Sequence, residues 1–305
     1  MPILVDYSQT CLSSILSQPT HVIDGIEENS SQESLLRHII LNGIRSYRSK
    51  FGNEYGELII CCDSPNSWRK EVFPLYKANR KKNQNEDAKA YWDKIFMVLN
   101  QTREDLANFF PYPVVRAERA EGDDVISVLT KYFISIHQKV LIISGDHDFI
   151  QLQKLNQLSA SVTQYDPVQK KYVKDDLSPE DYLKVHVLRG DSGDGIPNIL
   201  SDDDVFVSDN KRSVPITKSR LKSYLVACES NKLSDFCNTE ILMKRYERNR
   251  KIIDLIDGIP YEISDSIINN YNSEVNRVRV TGRKHLFNYF MKTGSKAMFE
   301  RIADF

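Results

Sequence analysis

Cysteine is scarce: the chain has five in 305 residues, two of them adjacent at Cys61 and Cys62, and no pair is spaced as C-x-x-C. This excludes a disulfide framework and a thiolate zinc site, and it fits reduced, buried thiols in a reducing compartment. No apolar run approaches the roughly 18 residues of a membrane span. The first residues read as a strand rather than a basic-then-apolar leader, so a cytoplasmic protein without a membrane partner is expected. An excess of one charge is also missing, with Lys+Arg 41 against Asp+Glu 42 and a net charge of −1, so overall charge selects no partner. There is no internal repeat and no low-complexity tract, which excludes solenoids and arrays. The length, with 41% hydrophobic and 27% charged residues, suits one large core and a smaller second domain.

What is present is organised around Val140-Leu141-Ile142-Ile143, a run of branched apolar residues followed by Ser144-Gly145-Asp146-His147-Asp148. Such a run predicts a strand buried on both faces, as in a parallel sheet covered by helices. The same pattern recurs at Ile3-Leu4-Val5-Asp6 and Leu58-Ile59-Ile60-Cys61-Cys62-Asp63, with a short strand at Val114-Val115. Glu121-Gly122-Asp123-Asp124 opens an amphipathic helix, and Ser161 to Tyr165 with Lys171 to Val173 predict two more strands. Strand–helix alternation predicts a doubly wound, mostly parallel α/β sheet. Thr20 to Ser31 reads as irregular. Beyond Asp191 the pattern is helical, over roughly 217–229, 239–257, 261–272 and 283–303. A domain boundary is expected near 185.

Parallel strands end at one sheet edge, so Asp6, Asp63, Glu121, Asp123, Asp124, Asp146, Asp148, Asp191 and Asp194 are expected to converge there. Two carboxylates ~4 Å apart repel by about 4 kcal/mol at an effective dielectric of 20, so such a cluster calls for cations. All-oxygen ligands without histidine or cysteine point to magnesium or manganese, and a two-metal phosphodiesterase is the natural use. His147 is expected to alternate away from the aspartates beside it. Against the carboxylates stands a basic run, Arg69, Lys70, Lys77, Arg80, Lys81 and Lys82, in a segment without apolar period. Spacings of three and four after Pro74 predict a helix aiming Lys77, Arg80 and Lys81 to one side, as phosphate contacts. Tyr76 and Trp68 suit either base stacking or core packing. Asp202 to Asp204 reads as a solvated loop, and Arg245, Arg248, Arg250 and Lys251 as either a solvent face or a nucleic-acid face.

Together, Asp6, Cys62-Asp63, Glu121-Gly122-Asp123-Asp124, Ser144-Gly145-Asp146-His147-Asp148 and Arg189-Gly190-Asp191-Ser192-Gly193-Asp194-Gly195-Ile196-Pro197 resemble the flap endonuclease and 5′-nuclease family. The likeness runs nearly the length of the chain, and is nearest to the branch found in T-even bacteriophages, extending to Trp68-Arg69, Tyr76-Lys77, Asn79-Arg80 and Asn288-Tyr289-Phe290. It implies a PIN-like nuclease domain over 1–185 with a helical arch around 65–90, and a helical domain over 186–305. It also implies a 5′ to 3′ exonuclease and flap endonuclease with ribonuclease H activity, acting on duplex DNA and RNA–DNA hybrids in phage replication in the host cytoplasm. One magnesium would be held by Asp6, Asp63, Asp123 and Asp146, a second by Asp148, Asp191 and Asp194, with Glu121 and Asp124 in support. Lys77 would polarise the scissile phosphate with Arg80 beside it, the catalytic set being Lys77, Arg80 and Asp146. Arg69, Tyr76, Lys81 and Lys82 would complete the nucleic-acid contacts. A monomer is expected, with a single-stranded-DNA-binding protein as replication partner. After Gly195 the family's glycine-rich hairpin is degraded. A PIN-type single-strand ribonuclease and an inactive nucleic-acid-binding scaffold are the alternative readings.

Overall fold

A computed structural model describes residues 1–18, 30–81, 86–230, 232–281 and 284–305; the irregular segment expected at 20–31 lies almost wholly outside them, as does Lys82. The strands are β1 (Pro2–Asp6), β2 (Glu57–Cys61), β3 (Val114–Val115), β4 (Val140–Ile143), β5 (Val162–Asp166) and β6 (Lys171–Tyr172). They form a six-stranded sheet in the order β3-β2-β1-β4-β5-β6. The first five strands are parallel, and β6 returns antiparallel to β5. The order reverses between β1 and β4, which is where open α/β sheets leave a crevice at their carboxyl ends.

The apolar strands serve two cores. Ile3, Val5, Leu58, Ile60, Leu141 and Ile143 face one, and Leu4, Ile59, Val140 and Ile142 face the other, the alternation a strand imposes. The first core is covered by α1 (Tyr7–Leu16), α2 (Ser30–Tyr55) and α3 (Glu86–Phe109). The second is covered by α4 (Gly122–Ser135) and the 3-10 helix His147–Leu155.

The longer remaining helices are α5 (Pro179–Arg189), α6 (Lys218–Glu229), α7 (Glu240–Ile253), α8 (Tyr261–Thr281) and α9 (Lys284–Thr293), with single turns at Arg69–Val72, Leu233–Phe236 and Lys296–Phe299. A third, smaller core joins Leu188, Ile199, Tyr224 and Cys237. Residue 185 lies inside α5, and the chain beyond it also completes both larger cores. Leu286, Tyr289, Phe290 and Phe305 pack into the first, and Ile252, Ile253, Ile263 and Ile267 into the second. Buried polar groups tie these layers to the sheet edge. Asn249 of α7 donates to the carbonyls of Val187 (3.0 Å) and Pro197 (2.8 Å), so α7 holds both α5 and the loop that follows it. Among the described residues no helix is long and apolar enough to cross a membrane.

Candidate active site

Four carboxylates gather where the sheet order turns. Asp6 caps α1, accepting from the Gln9 N–H (3.1 Å), while its other oxygen accepts from Ser144 Oγ (2.9 Å). Asp63, leaving β2, accepts from Ser8 Oγ (2.5 Å) and from the Gly122 N–H (2.7 Å). A Cβ on Gly122 would sit 3.3 Å from Asp63 Oδ1, so the bare glycine lets α4 start against that carboxylate. This start places Asp123 in the first turn of α4. Asp146 caps the 3-10 helix through the Asp148 N–H (2.9 Å). Gln164 on β5 donates to the carbonyls of Ser144 (2.9 Å) and Asp146 (2.6 Å), fixing the loop between them.

The electrostatic strain is legible in the acids. Burial, then Asp63, pushes Asp6 up to about 7. Burial, then Asp148, pushes Asp146 up to about 6. Asp123 is raised well above the usual range by burial, then by Asp146 and Asp6. Among the described residues, the ion pairs at this edge go to Glu121, Asp124, Asp148 and Asp194, and none to these four.

A second group lies beside the first. Gly190, at φ 66°, turns the chain where a Cβ would meet the Ile196 carbonyl at 2.3 Å, and Asp191 then pairs with Ile196 through backbone bonds of 2.8 and 2.7 Å. Asp191 Oδ1 accepts from the Gly193 N–H at 2.7 Å, shaping the loop. Ligand atoms of Asp148, His186 and Asp191 lie within 4.8 Å of one another. Asp191 is raised by burial, then by Asp194 and Asp148. Burial would lower His186, but Asp148, with Oδ1 3.2 Å from its Nδ1, outweighs that and holds the imidazole above its usual range. Asp194 instead accepts from the Arg80 guanidinium at 2.6 Å and from the neutral Tyr76 hydroxyl at 2.7 Å.

Two models of known families match this chain: the 5′-3′ exonuclease N-terminal resolvase-like domain over residues 27–178, and the C-terminal domain of T4 RNase H over 178–305. The ribonuclease H of Enterobacteria phage T4 is 30% identical, over 99% of this chain and 95% of its own. The chain belongs to the T4 ribonuclease H family of 5′-nucleases. A flap endonuclease, Xni of Shewanella sp. (strain W3-18-1), is 30% identical over 44% of this chain and 48% of its own. In fold, this 5′-nuclease is similar to the bacteriophage T5 flap endonuclease solved with DNA and metal ions, at TM-score 0.60 and 17% identity over 90% of this chain and 99% of that one. The zinc-bound 5′-exonuclease of T5 is similar at TM-score 0.58 and 18% identity, over 91% and all of the respective chains.

Several members of the expected site have other duties in this 5′-nuclease. Arg69, expected on nucleic acid, is 3% exposed. Its guanidinium forks onto Asp124 (2.9 and 2.8 Å), reaches Glu121 (3.0 Å) and donates to the Ile252 carbonyl (2.8 Å), joining the sheet edge to α7. Asp124 is wholly buried and also receives Trp68 Nε1 and the Glu121 N–H, so its oxygens are engaged in packing. Tyr76, carried over as a nucleic-acid contact and suited by its sequence to either base stacking or core packing, is buried with its hydroxyl 2.7 Å from both Glu121 and Asp194.

The helix predicted after Pro74 does not form. Lys77 instead adopts φ 58°, and only a short 3-10 turn follows at Ala78–Lys81. That left-handed backbone, which costs a non-glycine residue of order 1 kcal/mol, is held by the Lys77 N–H on the Asp194 carbonyl (2.8 Å). It lays Lys77 Nζ on Glu121 Oε1 at 2.6 Å, with Asp194 3.6 Å away. Burial alone would lower Lys77, but Glu121 and Asp194 hold its ammonium above the usual range; Glu121, which burial would raise, is lowered by Lys77 and Arg69. The Lys81 side chain lies outside the described residues.

Asp202 to Asp204 form more than a solvated loop, since Asp202 and Asp203 pair with Arg245 and Arg248, and Asp204 with Lys211. His147 is exposed. His186, which the sequence did not single out, faces Asp148 from the last turn of α5; its only signal was a histidine five residues before Asp191.

Proposed function

We propose that this 5′-nuclease is a divalent-metal-dependent 5′ to 3′ exonuclease and flap endonuclease. It would hydrolyse phosphodiesters of RNA–DNA and DNA–DNA duplexes, removing RNA primers and the adjacent DNA in phage replication. The observation that carries this reading is the group Asp6, Asp63, Asp123 and Asp146, of which Asp6 is buried and the others half-buried, with Asp6, Asp123 and Asp146 raised and no ion pair to the four among the described residues. Neutral acids there would make a poor core, whereas a hard cation matches the oxygen donors.

Asp6, Asp63, Asp123 and Asp146 would hold one magnesium, with manganese as substitute. Asp148, Asp191 and Asp194 would hold a second, supported by Glu121. Bound ions would supply a water acidified at neutral pH and offset charge on the leaving oxygen.

The chain's own groups do the positioning. Ser144 donates to the Asp6 carboxylate, and Gln164 fixes the backbone of the loop that carries Asp146. Lys77, strained onto Glu121, presents its ammonium at the rim, where a phosphate can compete for it, and the more exposed Arg80 is the next cation along. Arg69 and Tyr76 hold Glu121 in place from behind.

The deciding experiment presents a 5′-flap duplex, an RNA–DNA hybrid with a 5′ end and a single-stranded RNA, with magnesium and with EDTA. Magnesium-dependent cleavage of the two duplex substrates is the expected result. Cleavage of the single strand alone would make the chain a PIN-type ribonuclease, and binding without cleavage a scaffold.

A further inference from the structure

The second carboxylate group contains a nitrogen donor. His186 projects from the last turn of α5 onto the 3-10 helix that carries Asp148, and its Nδ1 lies 3.2 Å from Asp148 Oδ1. That atom is sealed from solvent and stands in ion-pair range of Asp148 Oδ1, but the alignment makes no hydrogen bond, so charge alone joins the two. A buried imidazole nitrogen without a hydrogen bond is costly. Asp191 supplies a third donor atom within the same 4.8 Å span. Neighbouring ligands of an octahedral ion with bonds of ~2.1 Å stand about 3 Å apart, close to the Nδ1–Oδ1 separation found here. The ring is steadied by Tyr182 one turn earlier, edge-on at 6.0 Å between centroids. Asp194, by contrast, is engaged by Arg80, Tyr76 and Lys77, which leaves it less available to an ion at Asp148.

The geometry points to a mixed nitrogen–oxygen metal site in which His186 Nδ1, Asp148 and Asp191 bind the second divalent ion. This rests on the reading of the sheet-edge carboxylates as a metal centre, and adds a ligand that changes which ion is preferred. An imidazole at one position favours manganese, cobalt or zinc over magnesium, because nitrogen affinity rises along the transition series while magnesium prefers oxygen. The first site, with oxygen donors only, would not discriminate in this way. The competing account is a charged histidine that complements the carboxyl end of α5 and pairs with Asp148, without touching an ion.

Pulsed electron paramagnetic resonance on the full chain, stripped of metal and loaded with two equivalents of manganese, separates the accounts without reference to activity. Directly bound imidazole gives a nitrogen coupling to the manganese spin. We expect that coupling in the native protein and in His147→Ala, and its loss in His186→Asp and His186→Gln. In parallel titrations, His186→Gln should lower the manganese-over-magnesium preference of the second site 10- to 100-fold, the usual cost of disturbing a metal's ligand set. His186→Asp should restore magnesium binding without restoring that preference. Two bound manganese ions with no nitrogen coupling in the native protein would overturn the His186 assignment alone, as would a coupling that survives both His186 variants. Failure of the native protein to bind manganese at all would overturn both this assignment and the metal-dependent reading beneath it.

Discussion

The two halves of the acidic edge are built from similar residues and behave differently. Asp6, Asp63, Asp123 and Asp146 hang from strand ends and a helix start, are steadied by neutral donors, and repel one another. Asp148, Asp191 and Asp194 hang from a 3-10 helix and a glycine turn; Asp148 pairs with His186, and Asp194 with Arg80, Lys77 and the Tyr76 hydroxyl, while Asp191 accepts from backbone N–H groups of its own turn. Carboxylates are thus poised or pacified by what else the fold delivers to the same point, and residue type alone does not separate the cases. The first half is a reservoir of repulsion that a cation relieves. The second is already partly neutralised by groups of the basic segment and α5.

The sharpest break in this comparison should come from Asp146→Asn. It should lower cleavage of a 5′-flap duplex in magnesium by at least three orders of magnitude while raising the melting temperature of the metal-free protein, because one member of a repelling set is gone. Asp191→Asn, whose carboxylate is raised by burial and by Asp194 and Asp148 but has His186 nearby, should raise that metal-free melting temperature by less than Asp146→Asn does. If both variants stabilised the metal-free chain equally, the two halves would not differ as described.

Arg69→Ala tests the buried support behind both halves. Stranding Asp124 and Glu121 without their guanidinium should cost about 3–5 kcal/mol in urea unfolding. A loss below ~1 kcal/mol would return Arg69 to the surface role first expected of it.

Lys77→Ala should lower the single-turnover rate about 100-fold, roughly 3 kcal/mol for one lost electrostatic donor, with little change in duplex affinity. Equal losses in rate and affinity would make Lys77 an ordinary phosphate contact.

The smallest effect is on pH. Asp6 at about 7 and Asp146 at about 6 stand above the unfolded aspartate value of ~3.9. Between pH ~5 and 8 the folded chain therefore binds more protons than the unfolded one, and metal-free stability rises as pH falls. His186, also raised, acts in the same direction, while Glu121, lowered, loses its contribution only at more acid pH. Melting in EDTA at pH 8 and pH 6 should show the higher value at pH 6, and saturating magnesium should flatten the difference. The opposite slope would deny that the cluster is strained.

Much of this was legible in the residues because it is local. Branched apolar runs ending in aspartate fix strand, edge and carboxylate together, so the sheet and its acidic crevice follow from Val5-Asp6, Cys62-Asp63 and Ile143 to Asp146. What the residues did not disclose depends on groups distant in sequence. Asp123 and Asp124 are adjacent, and the ~100° turn per residue of α4 sends one to the crevice and the other into Arg69 and Trp68. Arg69 is a core residue because α7, some 180 positions later, closes over it through the Ile252 carbonyl. Lys77 departs from the predicted helix because the 191–196 loop captures its backbone, and His186 joins the edge because Asn249 draws α5 and that loop together.

The claim beneath all of this is that the two carboxylate groups are two separate ion sites. Calorimetric titration of manganese into the native chain, Asp146→Asn and Asp191→Asn tests it directly. The account predicts two ions per native chain, loss of one site in Asp146→Asn with the other kept, and the converse in Asp191→Asn. A single ion in the native protein, or one substitution abolishing both sites, would contradict it.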